Sequence, residues 1–355
     1  MTIRDRRALC SAADETLRQE GARLKQILLL YLVVVTALSL GASILTVVLS
    51  DRIAETGGLR NMGLRSILST AQTLLPTVQT VAVLCLQLGF TTAALNARRG
   101  KDFSRDTLLG GFRRLLPLLW CYVLQALLYG FLGVVSMYLG VYIFLMLPMS
   151  QPFRELLVPL MESMSVMNST LMLDNATMDA IASALTPALW IIAALYLPLL
   201  IPTHYRYRMA IYRLIDQPRP RAMLAMRESR VLLYRNRFAL LKLDLRLWWF
   251  YALQLLAMLV CYGDVALALL GIQLPWSPMV SYFLFLILGL ALQFAVFYFT
   301  MDRVTMIYVC AYESLILEFE QKQQDMERFI REQANVPAPP APPSPPADRP
   351  WDDRY

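Results

Sequence analysis

The sequence predicts an all-α protein, a polytopic transmembrane helical bundle with six spans and amphipathic interfacial helices. Of its 355 residues, 57% are apolar and only 17% are charged, whereas soluble domains are typically about 45–50% apolar and about 25% charged. The chain also contains six apolar segments that are long enough to cross a hydrocarbon core of ~30 Å as a helix. Strands of membrane barrels alternate over about 10 residues, so these unbroken segments indicate helices.

The six predicted spans differ in length and in their content of helix-breaking residues. The third is about twice as long as the fourth, and at 1.5 Å per residue it covers roughly 50 Å, so we expect it to bend near Gly130 and Gly133 or to project from the membrane. The fourth contains Pro187 and Pro198 and is followed by Pro202. The predicted spans are residues 27–49, 74–95, 115–147, 185–201, 247–270 and 279–301.

Lysine and arginine lie almost entirely on one side of these spans. Segments 1–26, 96–114, 204–246 and 302–355 together carry 29 of them, and the three segments on the other side carry four. Because basic loops remain on the cytoplasmic side, both termini are predicted to be cytoplasmic, in a multi-pass protein of the cell membrane. The first span is too long for a signal peptide, whose apolar core is ~7–15 residues.

The remaining segments flank a membrane domain that covers residues 27–301. Residues 1–26 are predicted to form an amphipathic helix on the inner membrane surface, and residues 302–335 to continue the last span as a cytoplasmic helix. Between Pro337 and Pro350, eight of fourteen residues are proline. Residues 336–355 are therefore predicted to be extended and disordered, either as a spacer or as a ligand for a protein partner.

The loop 204–246 is strongly basic, with eleven lysines and arginines. Proline is tolerated at the start of a helix, so Pro218 and Pro220 favour a helix from about Arg221 onward. Its basic side chains are predicted to face anionic lipid headgroups, each contributing about 1 kcal/mol, or a protein partner: Arg227, Arg230, Arg235, Arg237 and Lys242. The apolar residues of the same helix would then face the membrane: Met223, Met226, Leu232, Leu233, Leu240 and Leu241. The same charges could instead serve only to orient the chain. No recognition module for nucleic acid is visible.

Polar groups inside predicted spans form the second set of candidates. Asp264 lies in the fifth span, Gln254 in the same span and Gln293 in the sixth. Ionisable groups in a bilayer are costly and mark solute or proton sites, but the position of Asp264 near the end of its span favours the outer interface, in contact with water. The glutamines are also explained by hydrogen bonds between helices.

Motifs of catalysis and metal binding are missing from the sequence. Gly100-Lys101 is followed by Asp102 rather than by the Ser or Thr of a phosphate-binding loop. With one histidine and five scattered cysteines, no metal-ligand spacing occurs, and no nucleophile lies in a known motif with its base. We therefore expect no cofactor, no metal and no enzyme activity.

Several short stretches resemble one family of bacterial membrane proteins. They are Arg7-Ala8-Leu9, Leu88-Gly89-Phe90, Arg98-Arg99-Gly100, Gly111-Phe112, Tyr205–Tyr212, Glu228-Ser229-Arg230 and Leu240–Trp248. Together they resemble the family called domain of unknown function nine-seven-five and, more distantly, the membrane domain of glycerophosphodiester phosphodiesterases. The resemblance covers residues 4–315 and departs from the family at Arg246 and in a longer loop at 148–184. It implies an all-helical membrane protein and carries no catalytic residue.

Two functions follow from these observations. The first is a non-enzymatic membrane protein that engages anionic lipid, protein partners or both through its basic cytoplasmic face. The alternative is a permease, or a transporter subunit, for a small solute or lipid, which the polar residues within spans and the prolines of the fourth span favour. No inverted repeat is apparent, and this counts against the permease.

Overall fold

The computed structural model describes residues 3, 5–55, 62–153, 155, 175–217, 221–263, 267 and 278–334. Among these residues none is in a strand, and the predicted all-α fold class is confirmed. In chain order the helices are α1 (Arg6–Glu55), α2 (Met62–Arg98), α3 (Arg105–Leu109), a 3-10 helix (Gly110–Arg114), α4 (Leu115–Met146), a second 3-10 helix (Pro148–Ser150), α5 (Asn175–Tyr207), α6 (Ala210–Asp216), α7 (Ala222–Leu232), α8 (Arg237–Arg246), α9 (Trp248–Cys261) and α10 (Pro278–Ala334).

Five helices are long and apolar enough to cross a membrane, and a bent pair of helices raises this number to six. The five are α1, α2, α4, α5 and α10. The pair consists of α8 and α9, which meet at Leu247 with a bend of 56°. The chain is therefore a multi-pass membrane protein, and the fifth predicted span, 247–270, corresponds to α9 and residues beyond it that the structure describes only in part.

Two helices are longer than the spans predicted within them. α1 is one helix of 50 residues, so residues 6–26 continue into the first span instead of forming a separate surface helix. Leu9, Ala13 and Leu24 are fully buried in the protein, which explains their helical spacing without a membrane surface. α10 has 57 residues and runs through the sixth span into the predicted helix 302–335.

α4 and α5 are also continuous. α4 passes Gly130 and Gly133 without a break, contrary to one of the two expectations for the third span. α5 contains Pro187, Pro198 and Pro202 within a single helix.

The buried core lies at one end of the molecule, which we call the base. The base comprises residues 5–32, 84–118, 205–217, 221–250 and 301–319, and its core contains most of the largest fully buried side chains, among them Tyr312, Phe90 and Met209. α1 packs there against α2 and α10, while α6, α7 and α8 fill the space between α5 and α10. These segments carry most of the basic residues that sequence analysis assigned to one side.

Outside the base the long helices expose large apolar side chains. Ile44, Tyr138 and Ile287 are 65%, 70% and 65% exposed in the isolated chain. Leaving such a side chain in water costs roughly 1.5–3 kcal/mol, whereas a bilayer imposes no such cost. This distribution, with a packed base and apolar helices around it, is the one expected when lipid solvates the upper part of the molecule.

Two glycines allow α2 to approach the chain that precedes α4. A Cβ on Gly89 would lie 2.0 Å from the Leu108 carbonyl oxygen, and a Cβ on Gly111 would lie 1.9 Å from the Cys85 carbonyl oxygen. Real Cβ atoms essentially never approach closer than 3.0 Å. We call this crossing the glycine contact. It fixes the position from which α4 begins at Leu115.

Candidate functional site

The base is held together by ion pairs between residues far apart in sequence. Arg99, at the end of α2, donates two hydrogen bonds to Asp216 at 2.6 and 3.0 Å and one to Glu313 at 2.7 Å. Tyr312 donates to the same Asp216 carboxylate at 2.5 Å. Asp216 lies in α6, outside the apolar segments. Burial alone would raise its pKa, but the hydrogen bonds from Arg99 and Tyr312 outweigh burial, so the pKa of Asp216 is lowered.

A second network lies beneath the end of α5. Arg208 and Tyr205 donate to one oxygen of the Asp244 carboxylate, each at 2.5 Å, and Tyr308 donates to the other oxygen. The Arg208 guanidinium also lies over the Tyr308 ring, 4.7 Å from its centroid, at a distance where a cation and a ring attract. Arg208 and Tyr308 are further joined to Tyr251 of α9. The carboxylate is thus satisfied on both oxygens.

Further polar contacts hold the inner faces of α7 and α8. Arg213 of α6 pairs with Glu228 of α7 at 2.7 Å, and the Ser229 hydroxyl donates to the Arg206 carbonyl at 3.1 Å. Between α7 and α8, Asn236 donates to Glu318 of α10 at 3.2 Å. These contacts determine which side of each helix faces outward.

The predicted basic residues lie on the outward side. Arg227, Arg230, Arg235 and Lys242 are exposed, whereas Arg237 is half-buried and its Nε atom is buried without a hydrogen-bond partner. The structure thus presents four of the five on one exposed stretch of chain. We call residues 223–246 outside the core the basic face.

Three of the six apolar residues predicted to face the membrane, all leucines, do not do so. Leu232, Leu233 and Leu240 are 8%, 0% and 0% exposed, in the protein core. A single helix would have carried them on one outer side, but the chain turns between α7 and α8, and the inner side of each helix is filled by these leucines. That prediction was wrong.

Other apolar side chains occupy the outward side instead. They are large, and they alternate with the basic residues: Met223, Val231, Tyr234, Phe238 and Leu245, with exposed fractions of 70%, 49%, 72%, 77% and 63%. In α8, Phe238, Lys242 and Leu245 follow the i, i+4, i+7 spacing of one helical stripe. Met223 was predicted to face outward, but sequence reasoning missed the other four because their partners across the helix were not known.

A cleft of about 990 Å³ opens between α4, α5 and the bent pair α8–α9. Each helix contributes side chains at helical spacing, such as Tyr122, Gln125 and Tyr129 from α4. Arg208 and Asp244 lie at its base end. The lining is rich in aromatic rings, and the rings come from six tyrosines and one tryptophan: Tyr122, Tyr129, Tyr196, Tyr205, Tyr207, Tyr251 and Trp248. We call it the tyrosine cleft.

His204, the only histidine of the chain, also lines the tyrosine cleft. The His204 Nδ1 atom lies 3.5 Å from the Tyr129 hydroxyl, and the His204 ring packs edge-on against the Tyr205 ring with 5.6 Å between centroids. The cleft therefore offers aromatic surface together with hydroxyl and imidazole donors. Sequence analysis did not single out the tyrosines, although their spacing of seven residues in α4 (Tyr122, Tyr129) is a signal of a shared face.

Of the polar residues predicted within spans, Gln254 and Gln293 are not brought together. Asp264 lies outside the described residues. Gln254 is half-buried in α9, whereas Gln293 lines a small cavity between α1 and α10 with Ser39 and Thr36. That cavity does not include Gln254, so the two glutamines do not form one site.

No group of three or more His, Cys, Asp or Glu within the described ranges could hold a metal ion. Comparison of the chain with protein-family models, with curated proteins and with solved structures gave no match. The resemblance to the bacterial family described above thus stays a prediction.

Proposed function

We propose that this protein is a non-enzymatic protein of the cell membrane whose basic face binds anionic phospholipid of the cytoplasmic leaflet. One observation supports this most strongly: Arg227, Arg230, Arg235 and Lys242 are exposed beside exposed apolar and aromatic side chains, on helices whose opposite side is core. Exposed rings such as those of Tyr234 and Phe238 are costly in water. They are favourable at the membrane–water boundary.

The positive charge of the basic face adds an electrostatic attraction to anionic lipid. Arg99, Arg208 and Arg213 are each paired with a carboxylate inside the base, so they do not contribute free charge to the surface. At about 1 kcal/mol for each basic residue near an anionic leaflet, Arg227, Arg230 and Arg235 would together favour anionic lipid by about 3 kcal/mol.

The test is a comparison of two triple variants reconstituted in lipid nanodiscs that contain equal amounts of phosphatidylglycerol and phosphatidylcholine. Changing Arg227, Arg230 and Arg235 to Gln should lower the preference for phosphatidylglycerol about 100-fold, because every 1.4 kcal/mol is a factor of ten. Native mass spectrometry of the released complexes counts the lipids. The matched control changes Arg18, Arg328 and Arg331 to Gln, which removes the same charge from exposed positions of α1 and α10.

The control variant should keep the lipid preference of the unmodified protein. An equal loss in both variants would attribute the preference to net charge alone and would refute a lipid site on the basic face. Unchanged lipid binding in the first variant would refute the proposal as well.

A permease is the second candidate, and the tyrosine cleft is the observation that favours it, because it opens between two pairs of helices. Proteoliposomes that accumulate a solute would support the permease.

A protein partner for the proline-rich segment 336–355 is part of the first proposal. Loss of a co-purified protein from a chain ending at Asn335 would support such a partner.

A further inference from the structure

The tyrosine cleft is polar at one end and apolar toward the other. At the base end lie Arg208, Tyr207 and His204, and farther along α5 lie Leu200 and Tyr196. Tyr196 and Arg208 are twelve residues apart, about 18 Å along a helix at 1.5 Å per residue. One leaflet is half of a hydrocarbon core of ~30 Å, or about 15 Å. The length of the cleft therefore matches one leaflet.

Hydrogen-bond donors, and not free negative charge, face the base end. The Asp244 carboxylate already accepts from Arg208, Tyr205 and Tyr308, so a phosphate group in the cleft meets no free carboxylate there. The Tyr207 hydroxyl and the His204 ring supply donors of the kind that phosphate oxygens accept.

We infer that the tyrosine cleft binds one diacyl phospholipid of the adjacent leaflet, with the phosphate beside His204 and Tyr207 and an acyl chain along Leu200 and Tyr196. Its volume of about 990 Å³ is at the upper end of ligand sites, which span about 300–1,000 Å³. The match of length, donors and apolar walls points to a whole lipid and not to a small solute. This site shares Leu245 with the edge of the basic face but includes none of Arg227, Arg230 and Arg235, and it does not require an anionic headgroup.

The experiment uses phosphatidylcholine, whose net charge is zero, so that the basic face contributes nothing. The full-length protein is reconstituted in nanodiscs of phosphatidylcholine and transferred to detergent, and the retained lipid is counted by native mass spectrometry. One lipid per chain is expected. Dioleoylglycerol, which has the acyl chains but no phosphate, should not be retained in a parallel sample.

Two tryptophan substitutions in α5 form a matched pair. Leu200→Trp places an indole ring on the wall along which the acyl chain is proposed to lie, and it should lower lipid retention at least tenfold because the ring and the chain compete for the same space. Leu197→Trp adds the same ring at a residue that does not line the cleft and is 50% exposed, and it should retain lipid as the unmodified protein does. The double variant His204→Ala, Tyr207→Phe leaves Leu200 and Tyr196 unchanged and should lower retention roughly fivefold or more through lost hydrogen bonds.

Equal retention in Leu200→Trp and Leu197→Trp would overturn the inference, as would the absence of retained lipid in the unmodified protein. If Leu200→Trp fails to fold, the double variant decides by the same criterion. The Arg227, Arg230 and Arg235 triple variant should retain phosphatidylcholine in full. These results distinguish a failure of the proposed lipid site on the basic face from a failure of the proposed site in the tyrosine cleft.

Discussion

The glycine contact allows a prediction whose size follows from one distance. In Gly111→Ala the new Cβ would lie 1.9 Å from the Cys85 carbonyl oxygen, about 1.1 Å short of the 3.0 Å that real contacts observe. The obstacle is backbone, which cannot rotate away as a side chain can. Either α2 or the segment before α4 must move by about an ångström.

The expected loss is about 3 kcal/mol of unfolding free energy. Overpacking in a well-packed region typically costs 1–3 kcal/mol, and the upper value applies because the displaced groups include the buried Leu88 and Leu108 on either side of the contact. Gly110→Ala is the matched control. No atom lies within 4 Å of its added Cβ and its φ is −56°, so alanine fits and helix propensity favours it by up to about 1 kcal/mol.

Both variants are measured in the same detergent by denaturant titration, with tryptophan fluorescence and gel filtration as independent probes. Gly111→Ala should unfold at a clearly lower denaturant concentration than the unmodified protein, and Gly110→Ala at the same or a higher one. If the two alanine variants behaved alike, close backbone approach would not be the reason that glycine occupies position 111.

Three further predictions concern the networks of the base. Asp216→Asn should lower the free energy of unfolding by about 3 kcal/mol, since removing one partner of a buried ion pair leaves the Arg99 charge poorly compensated. Thermal unfolding measures this loss of stability. Because the pKa of Asp216 is lowered by folding, its stabilisation is complete above the ordinary value of 3.8 and is lost as pH falls through the lower folded value. Asp216→Asn should therefore reduce the fall of the melting temperature below pH 3.8. Tyr308→Phe should cost about 1–3 kcal/mol by leaving one Asp244 oxygen unpaired, and Tyr234→Phe, with an exposed ring, should cost little in the same melts.

The apolar segments predicted most of the membrane helices because apolar length alone decides whether a helix crosses lipid. The glycines at 89 and 111 also stood out in the sequence, as parts of stretches that resemble a family. The bend at Leu247 did not, since the pattern of α8 and α9 lacks the Pro or Gly that usually accompanies a kink. The break between α8 and α9 at Leu247 depends on tertiary contacts of α8.

The polar networks could not be predicted from spacing. Arg99 and Glu313 are 214 residues apart, and Arg208 and Asp244 are 36 apart. In the sequence these arginines look like the ordinary basic residues of cytoplasmic loops. Only the fold distinguishes the paired Arg99 and Arg208 from the exposed Arg227, and the same holds for the tyrosines that the cleft brings together.

The packing of α1 against α10 has a consequence for biosynthesis. Ribosomes deliver α1 first and α10 last, so Leu9 and Leu24 leave the ribosome long before Tyr312 and its neighbours can cover them. Until then Arg99 also lacks Glu313. Part of the core of the nascent chain therefore stays exposed until α10 is synthesised and packs against it. A chain cut short before α10 would remain visible to chaperones and proteases as an unfinished product.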